Sequence, residues 1–256
     1  MSLLASKSPL YATGKSLGLL FLYLITGLWL DSYYFIKYTD NAQWYANIVM
    51  FIMFSIVFIK VTKRAREQMI TAVLIAIIGE YLFSIVLGMY TYRLGNVPHY
   101  VPPGHALVYI AVLYFSKASS IIKHKVSVEK FFTIFILIYA LVFLIVKNDI
   151  FGFVMTVATL LILRNKPRER LFYLTMYLTV AYLEIVGTNY LCWKWPSIAW
   201  GVFDFLPSHN PPSGISFFYF GLDLGSLWLY KQRHKLTWSR MKSIRKIRQE
   251  KQLTVN

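Results

Sequence analysis

Residues 69–91 read MITAVLIAIIGEYLFSIVLGMYT, and this stretch decides the fold class. Crossing ~30 Å of hydrocarbon at 1.5 Å per residue takes roughly 20 apolar residues in a helix. The run is long enough, and its one carboxylate, Glu80, stands inside it. An ionisable group at membrane depth costs about 2.5–3.5 kcal/mol even on the permissive insertion scale, so Glu80 calls for a polar cavity or a partner.

Seven further apolar runs flank this one, at 16–36, 44–61, 104–122, 131–147, 149–164, 171–192 and 213–230. The expectation is an all-α polytopic integral membrane protein with about eight transmembrane helices. The fifth and sixth runs are separated only by Lys147-Asn148-Asp149, which reads as a tight hairpin or as the middle of one long buried helix. Composition agrees, with 57% hydrophobic and 15% charged residues against about a quarter charged in soluble domains. The first run ends in Trp29, Asp31 and two tyrosines rather than a small-residue cleavage site, and so reads as a retained helix. Cys192 is the single cysteine, which excludes an intramolecular disulfide and any CxxC motif.

The net charge of +16 raises nucleic-acid binding, but the basic residues lie between apolar runs rather than along one face. Of the 27 Lys and Arg residues, 23 fall in the N-terminus, 60–68, 117–130, 164–170 and the tail from 231. Only Lys37, Arg93, Lys147 and Lys194 fall in the alternate connections. The positive-inside rule then predicts both termini in the cytoplasm. No nucleic acid is needed: the charge is met by anionic headgroups, at about 1 kcal/mol per basic residue near the surface. A bacterial inner-membrane protein is the expectation. The tail 231–256 reads either as an amphipathic helix on the membrane or as a solvated extension.

The two halves share an order of residues. Glu80 is followed by Tyr90-Thr91-Tyr92 and Pro102-Pro103-Gly104; Glu184 is followed by Trp193-Lys194-Trp195 and Pro211-Pro212-Ser213-Gly214. The carboxylate-to-aromatic spacing is ten residues in one half and nine in the other. This predicts a parallel tandem repeat of four-helix units, residues 1–124 and 125–230, with the basic tail after it. Interfacial aromatics and proline turns are common enough in membrane proteins to produce part of the match without duplication.

Three acidic residues, Glu80, Glu184 and Asp223, fall inside apolar runs and are the candidate catalytic groups, with His105 beside them. Small residues share the faces of both glutamates, Ala76, Ser84 and Gly88 in one helix and Ala181, Gly187 and Thr188 in the other, as close helix packing requires. Substrate-binding candidates are Tyr90, Tyr92, Arg93, His99, Trp193, Trp195, Asp204, His209 and Asn210. No cofactor or metal is expected, since HExxH, Walker and GxSxG motifs and a histidine-rich cluster are lacking. Pro103-Gly104-His105 lacks the serine and the partner elements of membrane lipid phosphatases.

The order of Glu, aromatic-x-aromatic and proline, once per half, resembles membrane carotenoid hydratases and cyclases over roughly 60 residues in two pieces. The resemblance implies an isoprenoid or other lipid substrate. The first functional expectation is a membrane-embedded enzyme whose paired carboxylates open to the outer face and act as general acid and base or stabilise a carbocation. The alternative is a transporter or membrane-complex subunit, with the same carboxylates as proton or cation sites between two repeats.

Overall fold

The computed structural model describes residues 9–236, 239, 240 and 243. Each apolar run contains a helix, although the first ends at Trp29 rather than 36 and the fourth is broken at Ala118: α1 (Pro9–Trp29), α2 (Ala42–Lys60), α3 (Lys63–Glu80), α4 (Val101–Lys117), a short α5 (Ser119–Lys123), α6 (Lys125–Lys147), α7 (Ile150–Arg164), α8 (Arg170–Asn189) and α9 (Ser216–Arg233). Four helical stretches are long and apolar enough to cross a membrane: Ala42–Lys60, Lys63–Val86, Lys125–Lys147 and Arg170–Asn189. Leu20–Trp29 and Ile150–Arg164 are shorter apolar helices. The chain thus has the character of a helical integral membrane protein.

Local chemistry sets the helix ends. The Thr62 hydroxyl accepts from the Ala65 N–H at the start of α3, and Pro102 and Pro103 stand in the first turn of α4, where no backbone N–H is needed. Asn148 adopts a left-handed conformation (φ 54°) that ends α6, and Asp149 caps α7 through the Gly152 N–H. The Lys147-Asn148-Asp149 step is therefore a hairpin between two helices. Past Glu80, α3 widens into a π-helical turn over Tyr81–Val86, closed by Leu87 N–H to Leu82 carbonyl at 2.8 Å.

α3, α4, α8 and α9 form the centre, with α3 packed on α4 and α9, and α8 on α4. Two-thirds of the apolar window of α8 is buried against 11% of that of α6, which places α6 on the rim. Large side chains such as Phe51, Ile59, Ile78 and Ile145 stay exposed on α2, α3 and α6, as a lipid-facing surface does.

The all-α expectation needs one amendment. The long connections after α3 and α8 meet and pair as two-residue strands, β1 (Thr91–Tyr92) with β2 (Trp193–Lys194), in antiparallel register. A hairpin comes next, β3 (Ile198–Ala199) with β4 (Phe203–Pro207). Backbone groups that leave a helix in a poorly hydrated place must find partners, and each loop supplies them to the other.

Candidate active site

Glu80 ends α3 and Glu184 sits near the end of α8, and both carboxylates are buried. Each is held by aromatic donors from its own half. The Tyr90 and Tyr92 hydroxyls donate to Glu80 Oε2 at 2.5 and 2.6 Å. The Trp193 and Trp195 indole N–H groups donate to Glu184 Oε2 at 2.7 and 3.0 Å. β1 and β2 bring these motifs together, so that Tyr90 lies against Trp195 (4.5 Å between ring centroids) and Tyr92 against Trp193 (6.1 Å).

The other oxygen of each carboxylate meets a side chain from α4 or α9. His105 Nε2 lies 2.8 Å from Glu80 Oε1, and the Tyr219 hydroxyl donates to Glu184 Oε1 at 3.2 Å. The His105 and Tyr219 rings stack at 4.9 Å and 11°. A continuous contact path thus links the two carboxylates: Glu80, His105, Tyr219, Glu184. Two phenol donors and an imidazole nitrogen on Glu80, and three donors on Glu184, offset the cost of taking each group out of water.

Both glutamates open onto one cavity enclosing about 1200 Å³ of empty space, mouth included. Apart from this polar centre its walls are apolar, supplied by α1, α2, α3, α4, α8 and α9 and the paired loops. Neither α6 nor α7 contributes to the lining.

Two buried aspartates hold the loops over the site. Asp31, just past α1, pairs with the Arg93 guanidinium and accepts from the Tyr100 hydroxyl at 2.9 Å. Arg93 Nε also donates to the Asp31 carbonyl at 2.9 Å. Asp149, just past α6, accepts from the backbone N–H groups of His209 and Ser213 at 3.0 and 2.7 Å. Each aspartate comes directly after one helix and fixes the loop that carries a proline-rich turn into a later one. Cys192 is buried just before Trp193, its thiol donating to the Leu28 carbonyl at 3.4 Å.

The structure gathers seven of the candidates, Glu80, Glu184, His105, Tyr90, Tyr92, Trp193 and Trp195, around the cavity. Asn210 stands behind it, its amide oxygen accepting from the Trp195 N–H at 2.9 Å. Arg93 is paired with Asp31. His99 is exposed and stacked on Trp44, and Asp204 is exposed on β4. His209 packs its ring edge-on to Phe143, and its Nδ1 lies 3.2 Å from the Pro211 carbonyl oxygen. None of these four lines the cavity. Asp223 belongs to α9, but its side chain lies outside the described residues, as does most of the basic tail from 231. Tyr219, Asp31 and Asp149 carry no motif in the sequence that marks them for the site. Among the described residues no cluster of His, Cys, Asp and Glu suited to a metal ion is found.

Protein-family models, curated proteins and solved structures give no match to this chain. The geometry of the site is therefore the ground for assigning a function.

Proposed function

We propose that the chain is a membrane-embedded enzyme that moves a proton on and off a carbon of an isoprenoid or related unsaturated lipid, with Glu80 and Glu184 as the acid–base pair. The observation that carries this reading is the arrangement of two buried carboxylates, each held by three ring side chains, on one apolar, aromatic-walled cavity. One carboxylic acid of the pair is the proton donor: its O–H bond breaks as a C–H bond forms on an alkene carbon. The resulting cation lies among Tyr90, Trp193 and Trp195 and beside the other carboxylate, which stabilise positive charge without reorganising. That carboxylate then takes a proton from the neighbouring carbon, giving an isomerised or cyclised product. Proton exchange with water resets the two carboxyls between turnovers.

The same reading takes the chain to cross the bilayer eight times with both termini inside and the cavity on the outer half. The helix positions, the uneven distribution of Lys and Arg and the paired loops support it. A four-plus-four duplication accounts for matching contacts in the two halves: carboxylate with aromatic-x-aromatic, aspartate with loop, and a hydroxyl four residues after each glutamate bonded back to its carbonyl (Ser84 at 2.8 Å, Thr188 at 2.7 Å).

The test is deuterium incorporation. The full chain in lipid nanodiscs is incubated in D2O with farnesol, geranylgeraniol and an acyclic polyene, and carbon-bound deuterium is read by mass spectrometry. Wild type should label at least one of them. Glu80→Gln and Glu184→Gln should each lower the rate by about 10²–10⁴-fold, since Gln keeps size and hydrogen bonding but transfers no proton. Cys192 should stay unreactive to maleimide in both, as a measure of intact folding. Labelling that persists in either variant, or none in wild type, removes the assignment. Proton flux across sealed liposomes that depends on Glu80 would favour the carrier instead.

A further inference from the structure

The cavity lining reaches well beyond the carboxylates. On α1, α2 and α4 it includes Tyr23, Gly27, Ala46, Met50 and Gly104. A Cβ placed on Gly27 would find only Tyr23 Cζ at 3.9 Å, and one on Gly104 only atoms of the flexible Met50 end, the nearest at 3.3 Å. In the other half, polar contacts tie α7, α8 and the turn before α9 together. There the Tyr177 hydroxyl donates to the Ser213 carbonyl and pairs with the Thr156 hydroxyl, both at 2.7 Å, and the Ser216 hydroxyl donates to the Tyr177 carbonyl at 3.0 Å.

The hydroxyls bordering the arm are already engaged. Tyr23 donates to Met50 Sδ at 3.5 Å, Tyr100 to Asp31, and Tyr90 and Tyr92 to Glu80. A sugar, a phosphate or a peptide placed there would lose its hydration and find few partners, at about 1–3 kcal/mol per unmatched group. A hydrocarbon loses nothing by the transfer.

We infer that the space between α1, α2 and α4 is a binding arm for the apolar chain of the substrate, with Gly27 and Ala46 setting its bore and Met50 its floor. This deepens the proposed function, on which it rests, by assigning the substrate an extended hydrocarbon tail, one end of which reaches Glu80 and Glu184. A chain lying there enters the first half only.

Photo-crosslinking tests the arm separately from the chemistry. The full chain in nanodiscs is irradiated with geranylgeraniol carrying a diazirine at the end distal to its hydroxyl, and adducts are mapped by peptide mass spectrometry. Adducts should fall on α1 and α2, between Tyr23 and Met50. Gly27→Leu and Ala46→Leu should each cut them by roughly tenfold, the equivalent of 1.4 kcal/mol. Met50→Ala, which enlarges the arm, should retain them and raise the capture of a longer prenol. Adducts on α6 or α7, or adducts undiminished by both leucine variants while Cys192 remains protected, overturn the arm. Glu80→Gln should keep the adducts while losing deuterium exchange. Adducts without exchange in wild type would leave the arm standing and remove the acid–base reading.

Discussion

The two halves place their glutamates alike and treat the space beneath them differently. In the first half, Glu80 is held by two phenols and an imidazole and looks into an open apolar arm. In the second, Glu184 is held by two indoles and a phenol, and the Tyr177, Thr156 and Ser213 network ties α7, α8 and the turn before α9 together. The donors teach the same lesson. A phenol can give or accept a hydrogen bond and an imidazole can take up a proton, whereas an indole N–H can only give. The Glu80 cage thus contains groups that can accept as well as donate, whereas the indoles of the Glu184 cage only donate.

The largest effect that separates the halves is expected at the loop anchors. Asp31→Asn leaves the mostly buried Arg93 guanidinium without its anion, and breaking such a pair costs about 3–5 kcal/mol. Asp149→Asn removes charge from an acceptor of backbone N–H groups and leaves no cation behind, so a loss of about 1–3 kcal/mol is expected. Thermal unfolding in detergent should rank Asp31→Asn as the less stable. The opposite rank would mean that the second loop, not the first, is held under the greater electrostatic demand.

Leucine at the two glutamates gives the next contrast. Glu184→Leu strands two indole N–H donors in an apolar wall, whereas Glu80→Leu leaves two phenols able to bond one another or His105. With about 1–3 kcal/mol for each unsatisfied donor, the Glu184 variant should unfold at the lower temperature. Equal shifts would erase the distinction between indole and phenol cages.

The smallest difference concerns packing. A Cβ on Gly214 would run into the Gly152 carbonyl oxygen and the backbone of Thr156, while one on Gly27 meets only Tyr23 Cζ at an ordinary contact distance. Gly214→Ala should cost about 1–3 kcal/mol through overpacking, and Gly27→Ala should leave the melting temperature unchanged. A tolerated Gly214→Ala would show that α7 and the turn before α9 can separate, and that the second half is less closed than its hydrogen bonds imply.

Much of the molecule was legible in its sequence, for identifiable reasons. Helices were, because an apolar run long enough to cross a membrane leaves the chain few other ways to satisfy its backbone. Glu80 and Glu184 were, because a carboxylate inside such a run has to be accommodated. Tyr219 was not, since it is one of 19 tyrosines and only its position on the face of α9 toward α8 distinguishes it. Asp31 and Asp149 looked like ordinary charges at helix ends, yet each closes the first helix of its half, and aligning the halves at that point would have singled them out. Arg93, His99, Asp204 and His209 were drawn in by their chemistry alone. Arg93 is consumed by Asp31, and the other three sit on parts of the loops that do not face the cavity. The paired strands had no pattern to betray them, because two residues per strand are too few for an alternation.

The π-helical turn after Glu80 speaks to ancestry. Both outgoing chains pass through a left-handed residue two positions before the first aromatic, Gly88 (φ 57°) in one half and Leu191 (φ 57°) in the other. From Glu80 to Gly88 is one residue more than from Glu184 to Leu191, which is the difference between the ten- and nine-residue spacings. A π turn takes up one extra residue without displacing the chain beyond it, and Tyr81–Val86 is where the longer segment takes it up. On the reading that the halves are copies, the turn marks the place where their lengths differ by one residue, and the wider coil leaves Tyr90 and Tyr92 on their glutamate. Excising one codon within it would restore the spacing of the second copy.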